Sequence, residues 1–111
     1  VVALWASWSP YSATELMNLS DVSGEYGDRI TAVAINRGES PEAARAYLEG
    51  IRAGGNILFL FDRDDAFFSA IQGFSTPETV FIDKEGMIRF HKRGAMAKEE
   101  LRRRVQDLFG L

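Results

Sequence analysis

The chain has 111 residues, no cysteine, a formal net charge of −3, and 46% hydrophobic and 12% aromatic content. That is one domain over residues 1–111, able to bury about two-thirds of its unfolded surface without a disulfide or a metal. The composition excludes a disordered chain, a basic surface for nucleic acid or anionic lipid, and any chemistry that needs a thiolate.

No apolar run approaches the roughly 18 residues of a membrane-spanning helix, and no charged segment precedes the first apolar residues as in a signal peptide. The chain opens without Met inside an apolar run. It therefore reads as a piece of a longer parent, and any targeting segment or anchor would lie upstream. Val1–Ala6 is short, apolar and bounded by a turn, as in a strand buried on both faces. Ser9-Pro10 predicts a helix start, with Ser9 at the N-cap and Pro10 at the first helical position. Leu16, Leu19, Val22 and Tyr26 then form one apolar stripe, and Gly27 closes the helix.

Ile30–Ile35 predicts a second buried strand. Ser40-Pro41-Glu42 repeats the cap, proline and early-acid start, with Ala44, Tyr47, Leu48 and Ile51 facing inward and Gly54-Gly55 at the end. Ile57–Phe61 is a third strand. Asp62–Gln72 holds a short helix with Phe67, Phe68 and Ile71, and a loop at Gly73–Thr76 leads to Pro77. Glu78–Ile82 is a fourth strand and Asp83–Gly86 a turn. Met87–Arg93 alternates, with Ile88 and Phe90 on one face and Arg89, His91 and Arg93 on a solvated one. Ala97–Phe109 is a closing helix with Leu101, Val105, Leu108 and Phe109 on its inner stripe. The order β-α-β-α-β-α-β-β-α, with right-handed crossovers, predicts an α/β fold: a mixed five-stranded sheet with helices on both faces. The expected strand order is third, second, first, fourth, fifth.

Few side chains carry chemistry. Ser9 at a helix start gains about 0.3–1 kcal/mol for an anion there, up to about 2 in good geometry. At about 1.36 kcal/mol per pKa unit, that is roughly one unit, far short of an alkoxide at neutral pH. Ser9 reads as a plain cap and Ser12 as a first-turn residue with no task. His91 is the only histidine, placed on the solvated face, so no Ser-His triad is expected, and the Gly-x-Ser-x-Gly elbow is absent. Asp62, Asp64 and Asp65 lack the spacing of a calcium loop and read as acids at a helix N-terminus. Arg102-Arg103-Arg104 reads as a solvated face, and Tyr47, Phe67, Phe68, Phe74 and Phe81 as core. Neither a metal site nor a cofactor is expected.

Two segments carry a resemblance. Trp5-Ala6-Ser7-Trp8-Ser9-Pro10-Tyr11-Ser12, with Glu15 three positions on, is similar to the W-A-(S/T)-W-C-x-x-C start and following acid of thioredoxin-like domains of the TlpA/ResA type. These are bacterial thiol-disulfide oxidoreductases. Thr76-Pro77-Glu78-Thr79-Val80-Phe81-Ile82-Asp83-Lys84-Glu85-Gly86 resembles their T-P-x-T-x-x-I-D-x-x-G segment. The stretch from Ser40 to Phe61 fits the insertion that separates this group from minimal thioredoxins. Serine occupies both sulfur positions, Met17 stands where many relatives carry proline, and the family's N-terminal hairpin is missing.

The resemblance implies a cis Thr76–Pro77 bond beside the Ser9–Ser12 turn. It also implies a groove for an extended peptide or protein segment, built from Trp8, Pro10, Tyr11, Glu15, Thr76 and Pro77. Backbone pairing at the residue before that proline needs no sulfur. A binding module without redox chemistry is the first expectation. A Cys-to-Ser version of an active oxidoreductase is the alternative. Neither nucleic acid nor direct membrane contact is expected, and the family implies the bacterial cell envelope.

Overall fold

The first strand is apolar on both sides because it lies at the centre of the sheet, and every residue of β1 (Val2–Trp5) is buried. In the computed structural model, which describes residues 1–111, the order is β1, α1 (Ser12–Tyr26), a 3₁₀ turn at Gly27–Arg29, β2 (Ala32–Arg37), α2 (Pro41–Glu49), β3 (Ile57–Asp62), α3 (Ala66–Ala70), β4 (Glu78–Ile82), β5 (Ile88–Arg93) and α4 (Lys98–Phe109). The sheet runs β3-β2-β1-β4-β5, as expected. β1 pairs parallel with β2, and β2 with β3. β4 is antiparallel to both β1 and β5. The fold is thioredoxin-like.

One face of the sheet packs Val1, Ala3, Trp5, Ala34 and Phe81 against Leu16, Leu19 and Val22 of α1 and Leu101 and Val105 of α4. The opposite face gathers Val2, Leu4, Ile35 and Val80 under Phe68 of α3. Each large apolar side chain so buried contributes about 1.5–3 kcal/mol. Trp5 adds a tilted ring contact with Tyr47 at 5.4 Å.

Several boundaries differ from expectation. α1 begins at Ser12, not at Pro10, with Tyr11 as the residue before it. β2 starts at Ala32, since Ile30 and Thr31 complete the turn out of α1. Ser40 caps α2 as predicted, its hydroxyl accepting from the Ala43 N–H at 3.3 Å. That helix ends at Glu49 with Gly50 as its cap. Gly54 serves packing instead: its N–H donates to Ser20 Oγ at 2.7 Å, and a Cβ there would collide with that hydroxyl. α3 is a short piece of the predicted segment. Asp62 caps it, its carboxylate accepting from the Ala66 and Phe67 N–H groups at 2.9 and 2.8 Å.

The predicted alternation of the fifth strand breaks at its start. Phe90 pairs with Phe81, but Ile88 pairs with Ile82, with a register shift between Phe81 and Ile82. This bulge displaces Arg89 and leaves Ile88 exposed. His91 is not solvated. Its side chain is 13% exposed, and Nε2 lies 2.5 Å from Glu78 Oε1, whose side chain is wholly buried. The arginine run is only partly solvated: Arg102 pairs with Glu25 and Glu99, and the Arg104 guanidinium lies 3.8 Å over the Phe90 ring.

Candidate functional site

The site forms where β1 gives way to α1. Chain reversal there is fixed by two turns, Ser9 N–H to Ala6 O and Ser12 N–H to Ser9 O, both at 3.2 Å. Ser12, expected to be idle, is fully buried. Its hydroxyl donates to Ala6 O at 2.7 Å and accepts from Ala6 N–H at 3.3 Å. It therefore hydrogen-bonds both backbone groups of Ala6, the residue that follows β1.

Ser9 is also buried. Its hydroxyl donates to Thr76 O at 3.1 Å and accepts from Tyr11 N–H at 3.4 Å. No side-chain base hydrogen-bonds Ser9, so its hydroxyl is not activated as a nucleophile. The serine joins the turn to the loop before β4, where the Thr76–Pro77 bond is cis. The two segments that carry the sequence resemblance thus meet in space.

That loop is held from several sides. Glu78 Oε2 accepts from the Phe74 and Ser75 N–H groups at 2.8 and 2.7 Å. Burial pushes the Glu78 carboxyl up, but the Ser75 and Phe74 N–H groups and His91 outweigh it, and the net shift is downward. From β2, Arg37 Nη1 donates to Thr76 Oγ1 at 2.8 Å, while Nη2 and Nε hold the two Asp65 oxygens at 2.7 and 3.1 Å. The guanidinium lies 3.5 Å over the Phe68 ring. Pro77 O accepts from Gly94 N–H at 3.0 Å. The Thr76 N–H donates to nothing within the chain. It is a free donor on a fixed frame.

Trp8 is 64% exposed, whereas Trp5, three residues earlier, is 1% exposed. Tyr11 is exposed as well, and so is Pro10. Phe74, expected in the core, is instead exposed and lies beside the Arg93 guanidinium at 5.1 Å. Trp8, Pro10 and Tyr11 therefore surround Ser9 in the sequence with exposed apolar surface, and Thr76 stands opposite.

Glu15 does not join them. It is buried, and its Oε1 accepts from Met96 N–H at 2.7 Å. Burial raises its carboxyl above the ordinary value, partly offset by that N–H. Its place beneath the turn follows from the helix, since it follows Ser12 by one turn on the inward side. Residues that sequence reasoning missed are Arg37, Glu39 and Glu78. Glu39 accepts from Ser7 N–H at 2.9 Å and Asn36 Nδ2 at 2.8 Å, and from the Ser7 hydroxyl. Burial raises its carboxyl, but these donors bring it below the ordinary value. No local pattern marks these three; each reaches a partner distant in the sequence, Arg37 to Asp65 and Thr76, Glu39 to Ser7, and Glu78 to His91.

A family model described as Redoxin matches residues 1–108. The chain is 25% identical over 105 residues to thiol-disulfide oxidoreductase ResA of Geobacillus kaustophilus, covering 94% of this chain and 59% of that protein. It is 33% identical over 94 residues to thiol:disulfide interchange protein DsbE of Allochromatium vinosum, covering 84% and 49%. The chain thus spans about half to three-fifths of these relatives. The structure of a secreted Mycobacterium tuberculosis disulfide oxidoreductase superposes with a TM-score of 0.80 at 23% identity, covering 96% of this chain and 78% of that one. That likeness concerns the fold.

Proposed function

The chain belongs to the Redoxin family as a TlpA/ResA-like thioredoxin-fold domain, and on that premise we propose that it binds an extended peptide or protein segment without dithiol chemistry. The observation that carries this reading is the pairing of Ser9 with Thr76. The turn and the cis-proline loop are fastened by a hydroxyl, in place of sulfur, and the Thr76 N–H is left unused. An extended partner lying along Thr76 gains one hydrogen bond from that N–H and offers a donor to the second lone pair of Thr76 O. Exposed Trp8 and Tyr11 supply apolar contact on the flank, and aromatic side chains of this kind dominate contact energies.

Redox activity is absent on this reading because no side chain can enter a mixed disulfide. The secreted relative and the ResA and DsbE similarities support the cell envelope as the compartment. The test is a calorimetric titration with short peptides selected by display against the immobilised chain. Saturable change in the parent, lost in Trp8→Ala with an unchanged far-ultraviolet spectrum, supports the groove. Equal binding by Trp8→Ala refutes it.

The second reading, a Cys-to-Ser form of an active oxidoreductase, draws on Ser9 and Ser12 themselves, which sit one turn apart with Ser12 buried and Ser9 against the cis-proline loop. Installing Ser9→Cys and Ser12→Cys together tests it. A disulfide that cycles with dithiothreitol and a model disulfide favours this reading. A folded double variant that fails to cycle leaves a resemblance of fold alone.

A further inference from the structure

We propose, building on the groove reading, that His91 is a positioning residue acting through Glu78, so that the loop leading into Pro77 is held most firmly when the imidazole carries its proton. Glu78 opens β4 directly after that loop, and its side chain is wholly buried. Its carboxylate meets three donors. Oε2 takes the Phe74 and Ser75 N–H groups at 2.8 and 2.7 Å, and Oε1 lies 2.5 Å from His91 Nε2. Thr76, whose free N–H the groove uses, is the next residue along the loop.

Only one of these donors changes its charge. The Phe74 and Ser75 amides are fixed dipoles, whereas an imidazole gains or loses a proton between about pH 5 and 8. The His91 ring is mostly buried but still touches solvent, which gives that proton a way out. With the ring protonated, the buried carboxylate faces a cation across a charge-assisted bond, roughly twice as strong as a neutral one. Once the proton leaves, Nε2–H still donates, but the charge of Glu78 loses its compensation. A buried charge without its counterion is costly, and the carboxylate relaxes toward solvent, away from the two loop amides. The hold on Phe74 and Ser75 weakens with it.

The neighbours of Glu78 leave His91 as the variable. On β5, Arg93 is the register partner of Glu78 and donates to Gln72 O at 3.1 Å. On β1 the register partner is Leu4. From β2, Arg37 holds both oxygens of Asp65, and α3 presents the uncharged Phe68 to this face. Neither arginine loses its charge in this range. Lys92 lies between His91 and Arg93 in the strand and points to the opposite face, where it pairs with Glu100. Asp83 and Arg89 pair with each other at the hairpin end. The Val1 α-amino group, lowered to about 6 by burial, titrates in the same range, but it lies at the other end of β1 and donates to Thr31 O.

NMR of the whole chain over that pH range tests this. The Phe74 and Ser75 amide signals move with the midpoint of the His91 ring protons, and their protection against exchange falls about fivefold as the ring loses its proton. In His91→Gln, whose side-chain amide keeps a neutral donor toward Glu78, both signals stay still and protection is already at the lower level. Calorimetry uses a display-selected peptide with capped ends and no titrating side chain. Its affinity falls by the same factor from acid to mildly alkaline pH in the parent and is flat in His91→Gln. Amide signals that ignore the His91 midpoint overturn the proposal. So does the same titration in His91→Gln, which would assign it to Val1. Amides that titrate beside a constant peptide affinity overturn the positioning role. If no peptide binds at all, the groove reading fails, and the amide signals still decide the hold of His91 on the loop.

Discussion

The Ser9 hydroxyl donates to the Thr76 carbonyl oxygen across 3.1 Å and 67 positions of sequence. This bond ties the end of the β1–α1 turn to the loop that β4 follows, and both belong to the proposed groove. Removing it with Ser9→Ala costs about 0.5–1.5 kcal/mol, the usual net worth of one such bond. Urea denaturation of the two proteins, with equal slopes, reads this directly. A Ser9→Ala variant as stable as the parent would show that the loop is positioned by Arg37 and Glu78 alone.

Ser12→Ala costs more. Its hydroxyl is the sole acceptor for the buried Ala6 N–H, whereas the Ala6 C=O keeps the Ser9 N–H as a second donor. Leaving that buried N–H unsatisfied costs about 1–3 kcal/mol. The midpoint of Ser12→Ala therefore falls below that of Ser9→Ala. The reverse order would contradict the burial assigned to Ser12.

The two tryptophans separate cleanly in solution. Trp5 lies in the core beside Tyr47, and Trp8 is exposed at the strand exit. Iodide quenches one emission component and spares the other, and Trp8→Phe removes the quenchable one. Uniform quenching of both would contradict the placement of β1.

Two buried carboxylates predict opposite pH responses. Folding raises the Glu15 pKa, so the folded protein binds that proton more tightly than the unfolded chain. The cost of ionised Glu15 is absent below its ordinary value of 4.5 and complete above the raised one. Glu15→Gln is therefore more stable than the parent at neutral pH, and the advantage vanishes in acid. Folding lowers the Glu78 pKa, so its stabilisation is present above the ordinary 4.5 and is lost as pH falls through the depressed value. Glu78→Gln is less stable at neutral pH, with a deficit that shrinks in acid. Melting temperatures of the three proteins from acid to neutral pH decide both signs.

Patterns confined to one element were legible in the sequence. The apolar run of β1, the stripe of α1 and the Ser40 cap read directly, and the βαβ order fixed the strand sequence because right-handed crossovers leave few alternatives. The meeting of Ser9 with Thr76 was expected only through the resemblance. What stayed hidden depends on register and partners. The bulge at Phe81–Ile82 exposes Ile88. A fully buried Glu78 draws His91 out of solvent, because a buried carboxylate must find donors. Phe74 looks like a core aromatic in isolation, but Glu78 holds its backbone inward and leaves the ring outside.

Amide hydrogen exchange at Thr76, followed by NMR with and without a display-selected peptide, tests the central claim most directly. The Thr76 N–H has no partner within the chain. Free protein should exchange it rapidly, and a bound extended peptide should slow it, together with a shift of the Trp8 indole signal. If the peptide binds, as Trp8 or calorimetry reports, while Thr76 exchange is unchanged, the partner does not lie along the cis-proline loop and the account fails.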